Sequence, residues 1–219
     1  MIEKIFHQIW INEKSPELPD EFKKLRDTWL AHNPDWEYRL WNLENLDFEP
    51  RCSRLIEQCR YPAQIADLLR MEILYQHGGV YLDTDFECLR PIDGILENVV
   101  EFSCSEDGLN LQIAILGAQK GSRLFNTVIE NFPERVGERP VNVETGPAFF
   151  TGIVLRNGID NNFTIFPSRF FYPFNYHTQN RDSVDLSRSY GVHHYADSWK
   201  PKVQGWRKLL TRVKRSLLT

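Results

Sequence analysis

Residues 78–87 read GGVYLDTDFE, and two carboxylates, Asp83 and Asp85, stand two positions apart where an apolar run ends. Desolvating two like charges costs several kcal/mol each unless water or a cation meets them. In an extended segment, residues two apart point to the same side, so both side chains can face one point just past a strand end. Hard carboxylate oxygens suit Mg²⁺ or Mn²⁺, above all when a phosphate-bearing ligand supplies the remaining oxygens. Taken alone, D-x-D is a common tripeptide, and two solvated acids opening a loop account for it equally well. Asp67 and Arg70, three apart on a helical pattern just upstream, share a face. They form either a surface ion pair worth under about 1 kcal/mol, or an acid that accepts from sugar hydroxyls beside a guanidinium that reaches a hydroxyl or phosphate. Near the end of the chain, His193 and His194 are adjacent. Neighbours on extended backbone face opposite ways, so at most one of them points at a shared metal, and a histidine capping a buried network is an equal alternative.

These residues need elements to hold them. KIFHQIW (4–10) and WEYRLW (36–41) read as strands, separated by a helical pattern over 19–33 that stops before Pro34. PAQIADLLRMEILYQHGG (62–79) is the clearest helix: Pro62 suits its first turn, Ile65, Leu68, Leu69, Ile73 and Leu74 form a stripe, and Gly78 suits its C-terminal cap. Asp67 and Arg70 lie away from much of that stripe. VYLDTD follows as a strand, with further strands expected at 99–104, 111–118 and in FTIFP, and helices at 51–60, 122–132 and 145–158. The alternation predicts an α/β fold with a mostly parallel sheet flanked by helices, in which ligands bind at the carboxyl ends of the strands.

The 219-residue chain is 42% hydrophobic and 26% charged, which excludes a disordered chain. No apolar run approaches the roughly 20 residues that span a bilayer, and MIEKIFHQIW lacks the basic start and apolar core of a signal peptide. Cys52, Cys59, Cys88 and Cys104 show no metal or redox spacing and read as reduced thiols, so a cytoplasmic location is expected. Lys200 to Thr219 contains seven basic residues and no acid, leaving 19 basic against 30 acidic side chains elsewhere. Within it, VQGWRKLLTRVKRSLLT (203–219) sets Val203, Trp206, Leu209, Leu210, Val213 and Leu217 on one helical face. Such a basic amphipathic helix reads as a contact with an anionic membrane surface, at the inner face, or as a terminal helix docked on the domain. The expected division is therefore a domain over 1–202 and an amphipathic helix over 203–219. Nucleic acid is a weaker partner, because the body is acidic and carries no recognisable binding module.

The stretch ADLLRMEILYQHGGVYLDTDFECLRPID, with KIFHQIWIN at the start, NPDWEYRLWN at 33–42, TGP at 145–147, FYPF at 171–174 and HHYADSW at 193–199, closely resembles the family 32 glycosyltransferases. That group includes yeast-type initiating mannosyltransferases and capsular polysaccharide sugar transferases and, more distantly, the glucosylating clostridial toxins. The resemblance implies a GT-A fold, a Rossmann-like sheet binding a nucleotide-diphosphate sugar (UDP- or GDP-linked) with Mn²⁺ or Mg²⁺. It implies a metal-dependent retaining hexosyltransferase acting on a glycan or lipid-linked glycan acceptor, in surface polysaccharide biosynthesis. Carried onto this chain, Trp10 would stack on the nucleobase, with core packing as its alternative, and Asp67 and Arg70 would contact ribose and donor hexose. Asp83 would touch ribose or the metal's water, Asp85 would bind the metal, and Tyr81 would pack beneath the site. One of His193 and His194 would complete the metal shell, and Trp199 would close over the diphosphate. Retention without an evident nucleophile points to front-face displacement. Ala66 departs from the serine common before the Asp, and QKGSRLF lacks a histidine common after its glycine.

Two other readings compete. Aspartyl-phosphate phosphatases also place D-x-D after a strand, but normally at their first strand and with Thr or Val where Glu87 stands here. A catalytically inactive sugar-nucleotide or glycan-binding module of the same fold would keep the binding residues without turnover.

Overall fold

A chain whose strands are covered on both faces must alternate between two cores, and β-strand GVYL does so. The computed structural model describes residues 1–12, 15–106, 108, 110–157, 162–175, 177–178 and 180–196. In chain order its elements are β1 (Ile5–Ile9), α1 (Asp20–His32), β2 (Glu37–Trp41), α2 (Ser53–Ile56), α3 (Pro62–His77), β3 (Gly79–Leu82), β4 (Phe86–Cys88), α4 (Asp93–Leu96), β5 (Glu101–Ser105), β6 (Leu111–Ala118), α5 (Arg123–Glu130), α6 (Val141–Glu144), α7 (Pro147–Asn157), β7 (Phe163–Phe166), α8 (Ser168–Phe171) and β8 (Gly191–His193). Tyr81 enters a core shared with Leu68, Leu69, Phe125 and Phe150. Val80 and Leu82, pointing the other way, join Phe6, Trp29, Phe102 and Phe171.

Six strands form one sheet in the order β2-β1-β3-β6-β5-β7. β2, β1 and β3 run parallel, as do β5 and β7, while β6 is antiparallel to both its neighbours. The expected mixed α/β architecture with a mostly parallel sheet is therefore present. The crossover from β1 through α1 to β2, and the longer one through α3 to β3, bring the carboxyl ends of β1 and β3 to the same edge.

The α3–β3 junction is a sharp turn built on two glycines. Gly78 caps α3 with φ +68° and donates its N–H to the Leu74 carbonyl. Gly79 follows at φ +91°, and a Cβ there would lie 2.5 Å from the Ile5 carbonyl oxygen. Only glycine meets both demands, a left-handed backbone and close strand approach. His7 locks the junction: its Nε2–H donates to Gly78 O at 2.8 Å, while its Nδ1 accepts from Trp41 Nε1 at 3.0 Å. Burial pushes the His7 pKa down to about 3, so it is neutral, and the two bonds define its tautomer.

A second, two-stranded sheet was not foreseen. β4 and β8 pair antiparallel with Phe86 opposite His193, Glu87 opposite Val192 and Cys88 opposite Gly191. Strand β3 itself stops at Leu82; Asp83, Thr84 and Asp85 form a turn closed by Phe86 N–H donating to Asp83 O at 3.2 Å. The expected strand through both aspartates is thus two short strands with the carboxylates on the turn between them. The four cysteines are free and buried. No helix among the described residues is long and apolar enough to cross a membrane.

Candidate active site

Asp85 is buried, and its carboxylate is held from two sides by the late chain. His193 Nε2 lies 3.1 Å from Oδ1, and the Ala196 N–H donates to Oδ2 at 2.8 Å. Its backbone carbonyl accepts from His194 N–H at 3.0 Å. Burial works against its charge, but the bonds and charge of His193 and the Ala196 amide prevail, holding the carboxyl below the usual range. His193 answers in kind: burial lowers its pKa, but Asp85 and Asp83 more than offset that and raise it. Its ring is stacked on Phe86 at 5.3 Å and lies 4.3 Å from the Tyr195 ring, so its direction is fixed by packing.

Asp83 divides its two oxygens. Oδ1 accepts from the Tyr81 hydroxyl at 2.6 Å and pairs with Arg70 Nη2 at 3.3 Å, while Oδ2 lies 3.9 Å from His193 Nε2. Tyr81 packs beneath the site in the core, and its hydroxyl also holds one Asp83 oxygen. The period-two spacing from 81 to 83 was the available signal. Gln8 supports the same turn by donating Nε2–H to Asp83 O at 3.2 Å.

Asp67 and Arg70 are no surface pair: they are 7% and 3% exposed. Arg70 Nη2 lies 2.9 Å from Asp67 Oδ1, Nη1 donates to the Ile113 carbonyl at 2.6 Å, and Nε donates to Ala66 O at 3.1 Å. The guanidinium sits 4.4 Å from the centroid of the Tyr81 ring. Burial opposes its charge, but Asp83, Tyr81 and Asp67 outweigh that and raise its pKa further. Burial also raises Asp67, to about 6, although Arg70 and a hydrogen bond from Thr145 Oγ1 at 2.9 Å pull it back. Thr145, in the TGP stretch, is a site residue whose role was not read from the sequence.

Asp83, Asp85 and His193 each offer a ligand atom within 4.8 Å of the others. Two carboxylates and an imidazole suit a divalent cation such as Mn²⁺ or Mg²⁺. His194 is not part of this group. Its Nε2 lies 2.7 Å from Glu87 Oε2 instead. A groove of about 460 Å³ runs from Asp85 and His194 to Trp10, Asn12, Glu21 and Phe22. Trp10 is half-buried there, edge-on to Phe22 at 5.5 Å, with its Nε1 unpartnered. Trp199 and residues 203–219 lie outside the described residues.

A parallel-centred sheet with D-x-D at the end of β3, backed by a buried Asp-x-x-Arg pair, is the arrangement expected of a GT-A fold. Comparison with known proteins agrees. Residues 19–101 match a family profile described as a glycosyltransferase sugar-binding region containing DXD motif, the group that the chain's motifs resemble. It is 25% identical over 217 residues to "Uncharacterized glycosyltransferase L373" of Acanthamoeba polyphaga mimivirus, covering 93% of this chain and 86% of that one. It is 30% identical over 162 residues to inositol phosphoceramide mannosyltransferase 3 of Schizosaccharomyces pombe, covering 68% of this chain and 44% of the relative. The chain thus spans less than half the length of that yeast protein. The fold resembles PaToxG glycosyltransferase (TM-score 0.54, 18% identity, 71% of this chain and 70% of that one). It also resembles glycosyltransferase GlyE of Streptococcus pneumoniae TIGR4 (TM-score 0.53, 10% identity, 97% and 60%).

Proposed function

We propose that this chain transfers a hexose from a nucleotide-diphosphate sugar to a glycan or glycolipid acceptor, with retention at the anomeric carbon and a divalent cation held by Asp83, Asp85 and His193. The observation that carries the proposal is the convergence of those three side chains, of which Asp85 lines one end of the groove that reaches Trp10. A cation there supplies neutralisation of the paired carboxylates and of charge on a departing diphosphate. The nucleobase lies along Trp10, and the sugar lies toward Asp67, Arg70 and Asp83. Asp67 is engaged by Arg70 and Thr145, which makes it an orienting group rather than a nucleophile. The bond from the anomeric carbon to the phosphate oxygen breaks on the same face on which the acceptor oxygen bonds, and the acceptor proton passes to the leaving phosphate. Trapping a covalent sugar–enzyme adduct would overturn this step. The relatives named as inositol phosphoceramide mannosyltransferases favour mannose and a lipid-linked acceptor, within surface glycan or glycolipid synthesis.

The test is turnover of GDP-mannose and UDP-glucose with Mn²⁺ or with EDTA, in the wild type and in Asp85→Asn. Chelation should abolish transfer and hydrolysis, and Asp85→Asn should lower them by at least about 10²-fold. Donor binding by the wild type with neither transfer nor hydrolysis would favour the inactive binding module instead. The same reading gives residues 203–219 the role of holding a cytoplasmic domain over 1–202 at an anionic membrane surface. Co-sedimentation with vesicles containing phosphatidylserine, with and without 203–219, checks this; equal binding would remove it.

A further inference from the structure

Among the described residues, three buried side-chain polar atoms have no hydrogen-bond partner: Trp10 Nε1, His193 Nδ1 and Tyr172 Oη. Such an atom costs about 1–3 kcal/mol, and native proteins leave few of them. All three flank the D-x-D turn. Trp10 lines the groove with Asp85, His193 bonds Asp85 through its other nitrogen, and the Tyr172 ring lies edge-on to His193 at 5.8 Å. Trp10 and His193 have roles in the reading above. Tyr172 does not.

We infer that the Tyr172 hydroxyl is a sugar-contacting group, which hydrogen-bonds one hydroxyl of the hexose carried on the nucleotide diphosphate. The inference rests on the sugar-transfer reading of this site. Tyr172 is 3% exposed, and its ring is clamped edge-on against Phe86 at 5.7 Å as well as against His193. Phe86 closes the D-x-D turn through its N–H to Asp83 O, and His193 bonds Asp85, so Tyr172 packs against both residues that flank that turn. A phenol hydroxyl both donates and accepts, which matches a sugar hydroxyl better than a cation or a phosphate. The neighbouring Tyr195 differs, since its hydroxyl already donates to Glu106 Oε1 at 2.7 Å.

The experiment is calorimetric titration of wild type and Tyr172→Phe with GDP-mannose, UDP-glucose, GDP and UDP, all with Mn²⁺, alongside thermal melting without ligand. Phe keeps the ring contacts and removes one oxygen. The expected result is about tenfold weaker binding of the nucleotide sugar that the wild type prefers, with its bare nucleotide unchanged within twofold. The unliganded melting temperature should be equal or higher, because an unpaired buried hydroxyl has been removed. Equal loss for sugar-bearing and bare nucleotides, or no loss for either, would overturn the inference. A lowered melting temperature would also overturn it, by showing that the hydroxyl already has a partner in the free protein. If the wild type binds none of the four, the sugar-transfer reading itself fails and takes the inference with it.

Discussion

Arg70 meets four acceptors and one aromatic face. Asp67, Asp83 and the Ile113 and Ala66 carbonyls lie on its guanidinium, with the Tyr81 ring alongside. Breaking one partner of a buried ion pair costs more than the pair contributes, because the other charge stays buried. Tyr81 is the finer probe at this scale. Its hydroxyl donates to the same Asp83 oxygen that faces Arg70, so it fixes which oxygen is left toward His193. Tyr81→Phe should lower stability by about 1.5–3 kcal/mol, the range for a hydrogen bond to a charged group. It should also weaken Mn²⁺ binding several-fold by freeing Asp83 to rotate. Urea denaturation and a Mn²⁺ titration check the two parts; unchanged metal affinity would make the bond purely structural.

Between elements, the β1–β2–α3 junction is where pH should act on the fold. His7 has a folded pKa of about 3 and an unfolded value of about 6.5, so between these it binds fewer protons folded than unfolded. Its contribution is complete above about pH 6.5 and is lost as pH falls toward 3, on the order of 5 kcal/mol in all. Asp67 acts in the opposite sense: its pKa is raised to about 6, so its burial is tolerated best when it is protonated. The difference between wild type and His7→Gln isolates the histidine. Wild-type stability should fall more steeply between pH 6 and 4, measured by urea midpoints at each pH, and parallel curves would contradict the assignment. The junction was legible because its causes are local: Pro62 opens α3, Gly78 caps it, and a glycine pair makes the turn. The burial of Asp67 and Arg70 was not legible. Charge assigned them to a polar face, whereas Thr145 and the Ile113 carbonyl, 78 and 43 residues away, cover that face.

At the scale of the whole molecule, the candidate metal group joins residues that are 108 apart in the chain. Sequence placed Asp83, Asp85 and a late histidine together only through resemblance; periodicity could say that one histidine of the pair faces the metal, but not which. The missing information was the β4–β8 pairing, two strands of three residues each, too short to leave a pattern. Its register sets Phe86 opposite His193 and Cys88 opposite Gly191. Gly191 is thus a lever on this register. A Cβ there would lie 2.9 Å from the Glu87 carbonyl oxygen and 3.1 Å from the Phe86 ring, on which His193 is stacked. Gly191→Val must push β8 or Phe86 aside, at a cost of about 1–3 kcal/mol for an overpacked site. If the small sheet is what delivers His193, Mn²⁺ affinity should fall about tenfold, close to the loss in His193→Ala, and the double substitution should lose little more. Isothermal titration of the three variants decides it. Full Mn²⁺ affinity in Gly191→Val would mean that the Asp85–His193 contact holds itself, and that the chain closes on its metal group without the strand pair.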